Sequence, residues 1–147
     1  MPEFHFFHPI EVRYADIDAQ RHVNNAAFLS YMETARSRYL QRLGLWDGKD
    51  FTNIGIILAE ATCTYRAPAA YGEPLRVGVR TARLGTKSLE IHHTIEDSDT
   101  GQEIASGKAI LVAYDYHSNR TIAIPEGWRR VMTAFEKLTP TESGLPD

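Results

Sequence analysis

Apolar residues recur at helical spacing over one stretch of this chain and alternate at strand spacing over most of the rest. Ile10, Val12 and Tyr14 stand at period two within 8–14, which predicts a strand. A polar run over 15–23 follows. Phe28, Met32, Ala35, Tyr39 and Leu43 are then three or four residues apart, so they form one apolar stripe of a helix running to about Leu43. Asn24 or Asn25 caps that helix, because an Asn side chain accepts a bond from a free first-turn N–H. Gly44 is the expected stop. At ~1.5 Å per residue the helix would be about 27–30 Å long, enough to cross a small domain.

Strand patterns take over after Gly44. Ile57, Ala59, Ala61, Cys63 and Tyr65 are expected on one face of a strand at 56–66. Leu75, Val77 and Val79 share a face in 75–83, with Arg76 and Arg80 on the other. Leu89, Ile91 and Ile95 align in 87–97, with His93 among them as a core or interface residue. Ile104, Ile110, Val112 and Tyr114 are expected together in 103–116. Turn signals at 70–74, 84–86 and 97–101 separate these strands. A short strand at 120–124, a helix at 126–138 opened by Pro125 and a frayed tail complete the chain. Connections this short favour an antiparallel meander. Only a curved sheet is large enough to cover the striped helix. The expectation is therefore one α+β domain over 1–138 with a C-terminal tail at 139–147: an antiparallel curved sheet of five to six strands wrapped around one long helix.

Composition narrows the classes. The 147 residues are 43% hydrophobic and 24% charged, ordinary for a folded domain. Sixteen Lys and Arg against nineteen Asp and Glu leave a net charge of −3, so no general basic field draws in nucleic acid. No apolar run approaches the ~18 residues of a membrane span, and the N-terminus lacks the basic and apolar regions of a signal peptide. A soluble cytoplasmic protein without a nucleic-acid or membrane partner is expected. The single cysteine, Cys63, excludes an internal disulfide or a Cys-based zinc cluster. It alternates onto the apolar face and reads as a small core residue.

The chemistry concentrates in residues 12–25. Asp16, Asp18, His22, Gln20, Asn24 and Asn25 crowd the entry to the helix, where unpaired N–H groups and a partial positive charge suit a carbonyl under attack. A neighbouring carboxylate would attack that carbonyl or deprotonate a water. Asp16 reads as a structural residue bonding local backbone. Glu33 reads as a surface partner of Arg36 at i, i+3. No spacing among His5, His8, Asp16, Asp18 and His22 matches a zinc pattern, so no metal is expected.

The run Arg13-Tyr14-Ala15-Asp16-Ile17-Asp18, then His22-Val23-Asn24-Asn25, then Tyr31-Met32-Glu33-Thr34-Ala35-Arg36, resembles the hotdog-fold acyl-CoA thioesterases of the 4-hydroxybenzoyl-CoA thioesterase-like superfamily. Tyr65-Arg66-Ala67-Pro68, Gly72-Glu73-Pro74-Leu75 and Gly85-Thr86-Lys87-Ser88 follow in family order, covering about 8–125. The resemblance implies thioester hydrolysis without a cofactor, CoA being part of the substrate. It implies Asp18 as the catalytic carboxylate, the backbone N–H near Asn25 as the carbonyl donor, and His22 as a positioning partner. Asn24, Tyr65, Lys87 and Ser88 are the expected substrate contacts, with Lys87 the best of several cations (Arg66, Arg76 and Arg80 being the others) for the CoA phosphates. It further implies a homodimer or homotetramer with the pantetheine arm between subunits. One departure stands out: Arg21 occupies the position before the His where close relatives commonly have Gly. Two other classes share the fold. The hydratases of 3-hydroxyacyl thioesters use Asp-x-Asn-Pro-x-His, in which Asp and His are one residue further apart than Asp18 and His22. A non-catalytic acyl-CoA-binding protein is the third class.

Overall fold

The computed structural model describes residues 3–145; the outermost residues of the expected domain and tail, 1–2 and 146–147, lie outside that range. The long helix is α1 (Asn25–Arg42). Asn24 caps it, its side chain accepting the Ala26 N–H at 2.8 Å, and Gly44 leaves it at φ +74°. The predicted stripe is the buried one: Phe28, Met32, Ala35 and Tyr39 are all inaccessible to solvent, and Leu43 at the C-cap is half-buried.

Six antiparallel strands surround this helix: β1 (Phe7–Ile10), β2 (Ile56–Tyr65), β3 (Leu75–Leu84), β4 (Ser88–Asp97), β5 (Glu103–Asp115) and β6 (Arg120–Thr121). Their order is β1-β3-β4-β5-β2, with β6 added on β5. Val77, Val79, Ile91, Ile95, Ala109 and Leu111 belong to the inner face against α1. This is the α+β arrangement expected, a curved sheet around one helix.

Gly107 shows how closely helix and sheet approach. It pairs with His93 on one side and Cys63 on the other. A Cβ built there would stand 2.6 Å from Met32 Sδ and 2.8 Å from the Thr62 carbonyl oxygen. Met32 can swing away, but backbone cannot. Gly107→Ala is therefore expected to cost roughly 1–3 kcal/mol as an overpacked contact, read as a lower urea midpoint. An unchanged midpoint would show that the contact is looser than this.

That approach also corrects the face expected for β5. The inner positions are Ala105, Gly107, Ala109, Leu111 and Ala113, mostly small because α1 lies against them. Ile110, Val112 and Tyr114 point to the outer face and are half-buried. On β2 a bulge between Leu58 and Glu60 shifts the register. Ala61, Cys63 and Tyr65 share the inner face as expected, but Ile57 faces outward opposite Val112, and Leu58 turns in. Because β2 is an edge strand, most of its residues are exposed.

Both ends differ from the local pattern as well. The first strand stops at Ile10, and Tyr14, 85% exposed, belongs to a 3₁₀ turn at Tyr14–Asp16. The turn wins because the Asp16 carboxylate accepts the Arg13 N–H at 2.9 Å and closes it. The strand expected at 120–124 shortens to Arg120–Thr121, and the following helix is α2 (Glu126–Glu136). Part of the expected frayed tail is a short helix, α3 (Pro140–Ser143). Arg129 of α2 fastens it, donating to the Ser143 carbonyl at 2.6 Å and to the Gly85 carbonyl at 2.7 Å.

Candidate active site

The polar run before α1 is a closed loop. Ile17 and Val23 form an antiparallel bridge, and between them the Asp18 N–H donates to the His22 carbonyl at 3.1 Å and the Arg21 N–H to the Asp18 carbonyl at 2.9 Å. Val23 N–H reaches the Ala69 carbonyl at 2.8 Å, which ties the loop to the segment after β2. Arg21 sits at φ +68°, in the left-handed region. A side chain there costs about 1 kcal/mol or more, a cost that Gly at this position would avoid.

The two carboxylates of the loop have different surroundings. Asp16 is buried and fully engaged: Arg13 N–H and guanidinium each donate at 2.9 Å, and the Tyr31 hydroxyl donates at 2.7 Å. Burial alone would raise its pKa, but these hydrogen bonds together hold it below the usual carboxylate range. Asp16 is structural, as its sequence context suggested. Asp18 is half-buried and, among the described residues, accepts only the Gln20 N–H at 2.9 Å and Asn24 Nδ2 at 3.2 Å. Asn24 thus does two things at once, capping α1 through its oxygen and holding Asp18 at the helix start through its nitrogen. Ala26 and Ala27 have acceptors for their N–H groups, whereas the Asn25 N–H has none among the described residues. A carboxylate held through Asn24 and a main-chain donor without an acceptor among the described residues therefore both belong to the exposed start of the helix. His22 is also exposed, and no hydrogen bond joins its ring to Asp18.

Tyr65 belongs to this group: its hydroxyl donates to the Asn25 carbonyl at 3.0 Å, and its ring packs on Phe28. Lys87 and Ser88 do not, within one chain. Ser88 is paired with Val112, whereas Tyr65 is paired with Ala105, seven residues away along β5. At ~3.3 Å per residue that is roughly 23 Å. Lys87 instead donates to Thr121 Oγ1 at 3.4 Å. Arg66 and Arg76 are paired with Glu103 and Glu96. Cys63 is half-buried, and burial pushes its thiol pKa up, away from nucleophilic use.

Arg36 is the residue the sequence reading misplaced. It is 7% exposed rather than on the surface, and among the described residues it forms no ion pair with Glu33 or any other carboxylate. The signal was available: position 36 is four residues after Met32 and beside Ala35, within the buried arc of the helix. It lines a cavity of about 810 Å³ between α1 and the start of β2.

The model of the thioesterase-like superfamily matches residues 12–132. The chain belongs to that superfamily. A thioesterase of Thermus thermophilus, solved with coenzyme A and zinc, is 35% identical, with a TM-score of 0.83 over 95% of this chain and 99% of that one. The long-chain acyl-CoA thioesterase FadM of Escherichia coli is 27% identical over 78% of this chain and 87% of its own length. The 1,4-dihydroxy-2-naphthoyl-CoA hydrolase of Synechococcus sp. is 28% identical over 84% of this chain and 86% of its own. The resemblance read from residues 13–36 is thus confirmed at the level of family, hotdog architecture and enzyme class, a thioester hydrolase. Among the described residues of this thioesterase, no three His, Cys, Asp or Glu side chains gather as a metal site would require. No described helix is long and apolar enough to cross a membrane.

Proposed function

We propose that this thioesterase hydrolyses an acyl-CoA to the free acid and CoA, with Asp18 as its catalytic carboxylate. The observation that carries the reading is the juxtaposition of Asp18 with the unpaired Asn25 N–H. The thioester carbonyl oxygen takes the Asn25 N–H, which stabilises the negative charge that grows on it. Asp18 then acts in one of two ways. As general base it accepts a proton from a water whose oxygen bonds to the carbonyl carbon; as nucleophile it bonds to that carbon itself, and water cleaves the resulting anhydride. In both, the C–S bond breaks and CoA leaves as a thiol once protonated. Relatives named for CoA thioesters support the leaving group. Release of free thiol from a panel of acyl-CoAs tests this. Binding without thiol release would instead make the protein an acyl-CoA-binding module, and loss of enoyl absorbance a hydratase.

The same reading includes a homodimer or homotetramer. One edge of β2 pairs with β5 and the other has no partner among the described residues, while Leu58 and Tyr65 on the strand and Leu29 on α1 are exposed apolar side chains. Antiparallel pairing of two β2 edges about a two-fold axis would set the Lys87–Ser88 hairpin of one copy near the Asp18 loop of the other. The offset of roughly 23 Å along β5 within one chain would then be bridged by a site shared between chains. Light scattering after gel filtration is expected to give a multiple of the 16.6 kDa chain mass. Replacing Leu58 and Ile57 by Asp is expected to shift the protein toward the monomer and lower turnover. A wild-type monomer with full activity would refute the shared site.

A further inference from the structure

The turn between β3 and β4 has every one of its carbonyls accepted from the protein side. The Gly85 carbonyl accepts Arg129 Nη2 at 2.7 Å and the Thr86 carbonyl the Ile124 N–H at 2.9 Å. The Lys87 carbonyl accepts the Ala113 N–H at 2.8 Å, and the Ser88 carbonyl the Gly85 N–H at 2.7 Å. The Thr86 and Lys87 N–H groups, by contrast, have no acceptor among the described residues, and both residues are exposed. Nor does the Lys87 ammonium form an ion pair among them. One turn thus carries two unused main-chain donors and a cation, the composition of an anion-binding nest. One of the four inward bonds comes from a buried charge. Arg129 of α2 is 8% exposed and has no carboxylate partner among the described residues. Its fork divides between Gly85 on the turn and the Ser143 carbonyl, 2.6 Å away at the end of α3. Gly144, at φ +69°, lies against the same group: a Cβ built there would stand 2.8 Å from Arg129 Nη1. α3 lies beyond residue 132, the last one matched by the superfamily.

We infer that Arg129, clamped by the C-terminal segment, is a positioning residue for CoA: it sets the 85–88 turn so that the Thr86 and Lys87 N–H groups and the Lys87 ammonium meet a phosphate of the nucleotide. The inference rests on the acyl-CoA reading above and adds to it the main-chain donors and the side chain that aims them. The reason is the planar trans peptide, whose C=O and N–H point in opposite directions. The Gly85 carbonyl and the Thr86 N–H belong to one such unit, so drawing the carbonyl inward to Arg129 turns the N–H outward. Ile124 does the same for the unit that joins Thr86 to Lys87. Without the guanidinium the Gly85 carbonyl is free to rotate toward solvent, where its partial negative charge opposes a phosphate. Arg129 therefore acts on the anion only through the turn, and α3 holds Arg129 in place.

Two thioesters test this: hexanoyl-CoA and S-hexanoyl-pantetheine, which lacks the phosphates, compared by kcat/KM for thiol release. The wild type is expected to favour the CoA thioester by roughly 10–100-fold, the scale of charge-assisted hydrogen bonds. Arg129→Met should lower that ratio about tenfold, through the KM for hexanoyl-CoA, while turnover of the pantetheine thioester is unchanged. Arg129→Lys keeps one donor and should give an intermediate ratio. Gly144→Val, whose branched side chain suits neither the left-handed backbone nor the space beside Arg129, displaces the tail and should lower the ratio as well. It decides the matter if Arg129→Met does not fold. A merely structural role would depress both substrates alike. An unchanged ratio in these variants, or equal use of both thioesters by the wild type, overturns the inference and leaves the thioesterase reading standing. If neither thioester is hydrolysed, the thioesterase reading fails instead. Calorimetric titration with CoA then reads the inference separately: weaker binding by the variants than by the wild type supports it, and equal binding overturns it.

Discussion

Asp18→Asn is expected to lower turnover of a good acyl-CoA substrate by at least about 10²–10³-fold, the scale set by loss of a group acting directly in the transition state. The substitution keeps the shape and removes the charge. Its carbonyl oxygen still accepts the Gln20 N–H, as Asp18 does at 2.9 Å. Its amide nitrogen, however, faces Asn24 Nδ2, where the carboxylate now accepts at 3.2 Å. That donor–donor encounter lies at the surface, where water relieves it, so stability is expected to change by under about 1 kcal/mol. The measurement is thiol release alongside a thermal melt. A variant that melts like the wild type and still turns over at near the wild-type rate would remove Asp18 from the chemistry. Asn25→Ala is the informative companion: the main-chain N–H remains, so its rate should fall much less.

Asp16→Ala should show the opposite signature, a large loss of stability with a smaller effect on chemistry. The substitution deletes the acceptor of the Tyr31 hydroxyl, which is buried, and of both Arg13 donors. Stranding a buried hydroxyl and opening the 3₁₀ turn is expected to cost roughly 2–4 kcal/mol. For a chain of this length that corresponds to a fall in Tm of roughly 5–15 °C. Well below its own Tm the variant should keep thiol release within about tenfold of wild type, because Asp18 and the Asn25 N–H are untouched. A melt unchanged from wild type would show that the Asp16 network contributes nothing. The pH dependence has a definite sign. The folded-state pKa of Asp16 lies below its ordinary value of 3.8, so its contribution is present in full above that value and is lost as pH falls through the folded pKa. Melting temperatures of wild type and Asp16→Asn should therefore converge on acidification below about pH 4.

Stability and the proposed chemistry divide in this way between two carboxylates two residues apart, and the crowding of both at the helix start was readable before any coordinates. Asp18, His22, Asn24 and Asn25 were marked by their crowding at a helix start, and the structure places Asp18, Asn24 and Asn25 together there. Local chemistry decides such things: a cap, a turn and a carboxylate two to six residues apart interact whatever the rest of the chain does. For the same reason the stripe of α1 and the inner face of β4 agree with the pattern of the chain, since spacing along one element dictates its faces.

Most of what differed from the sequence pattern was settled between elements. A single extra residue in β2 reversed the side on which Ile57 stands, because strand faces alternate and one inserted residue exchanges them. The inner face of β5 is lined by small residues rather than by Ile110, Val112 and Tyr114, since Met32 approaches to within a Cβ's distance of Gly107. Arg129 pins a tail that no local periodicity marks. Arg36 is inside, beside a buried His93, although its spacing from Glu33 fits a surface pair equally well. Position along the chain, then, determined the elements, their caps and the carboxylate that faces a helix end. Which faces meet, which charge is buried and which end of the sheet lies near Asp18 were decided only by packing, because contact energies depend on neighbours that are distant in sequence.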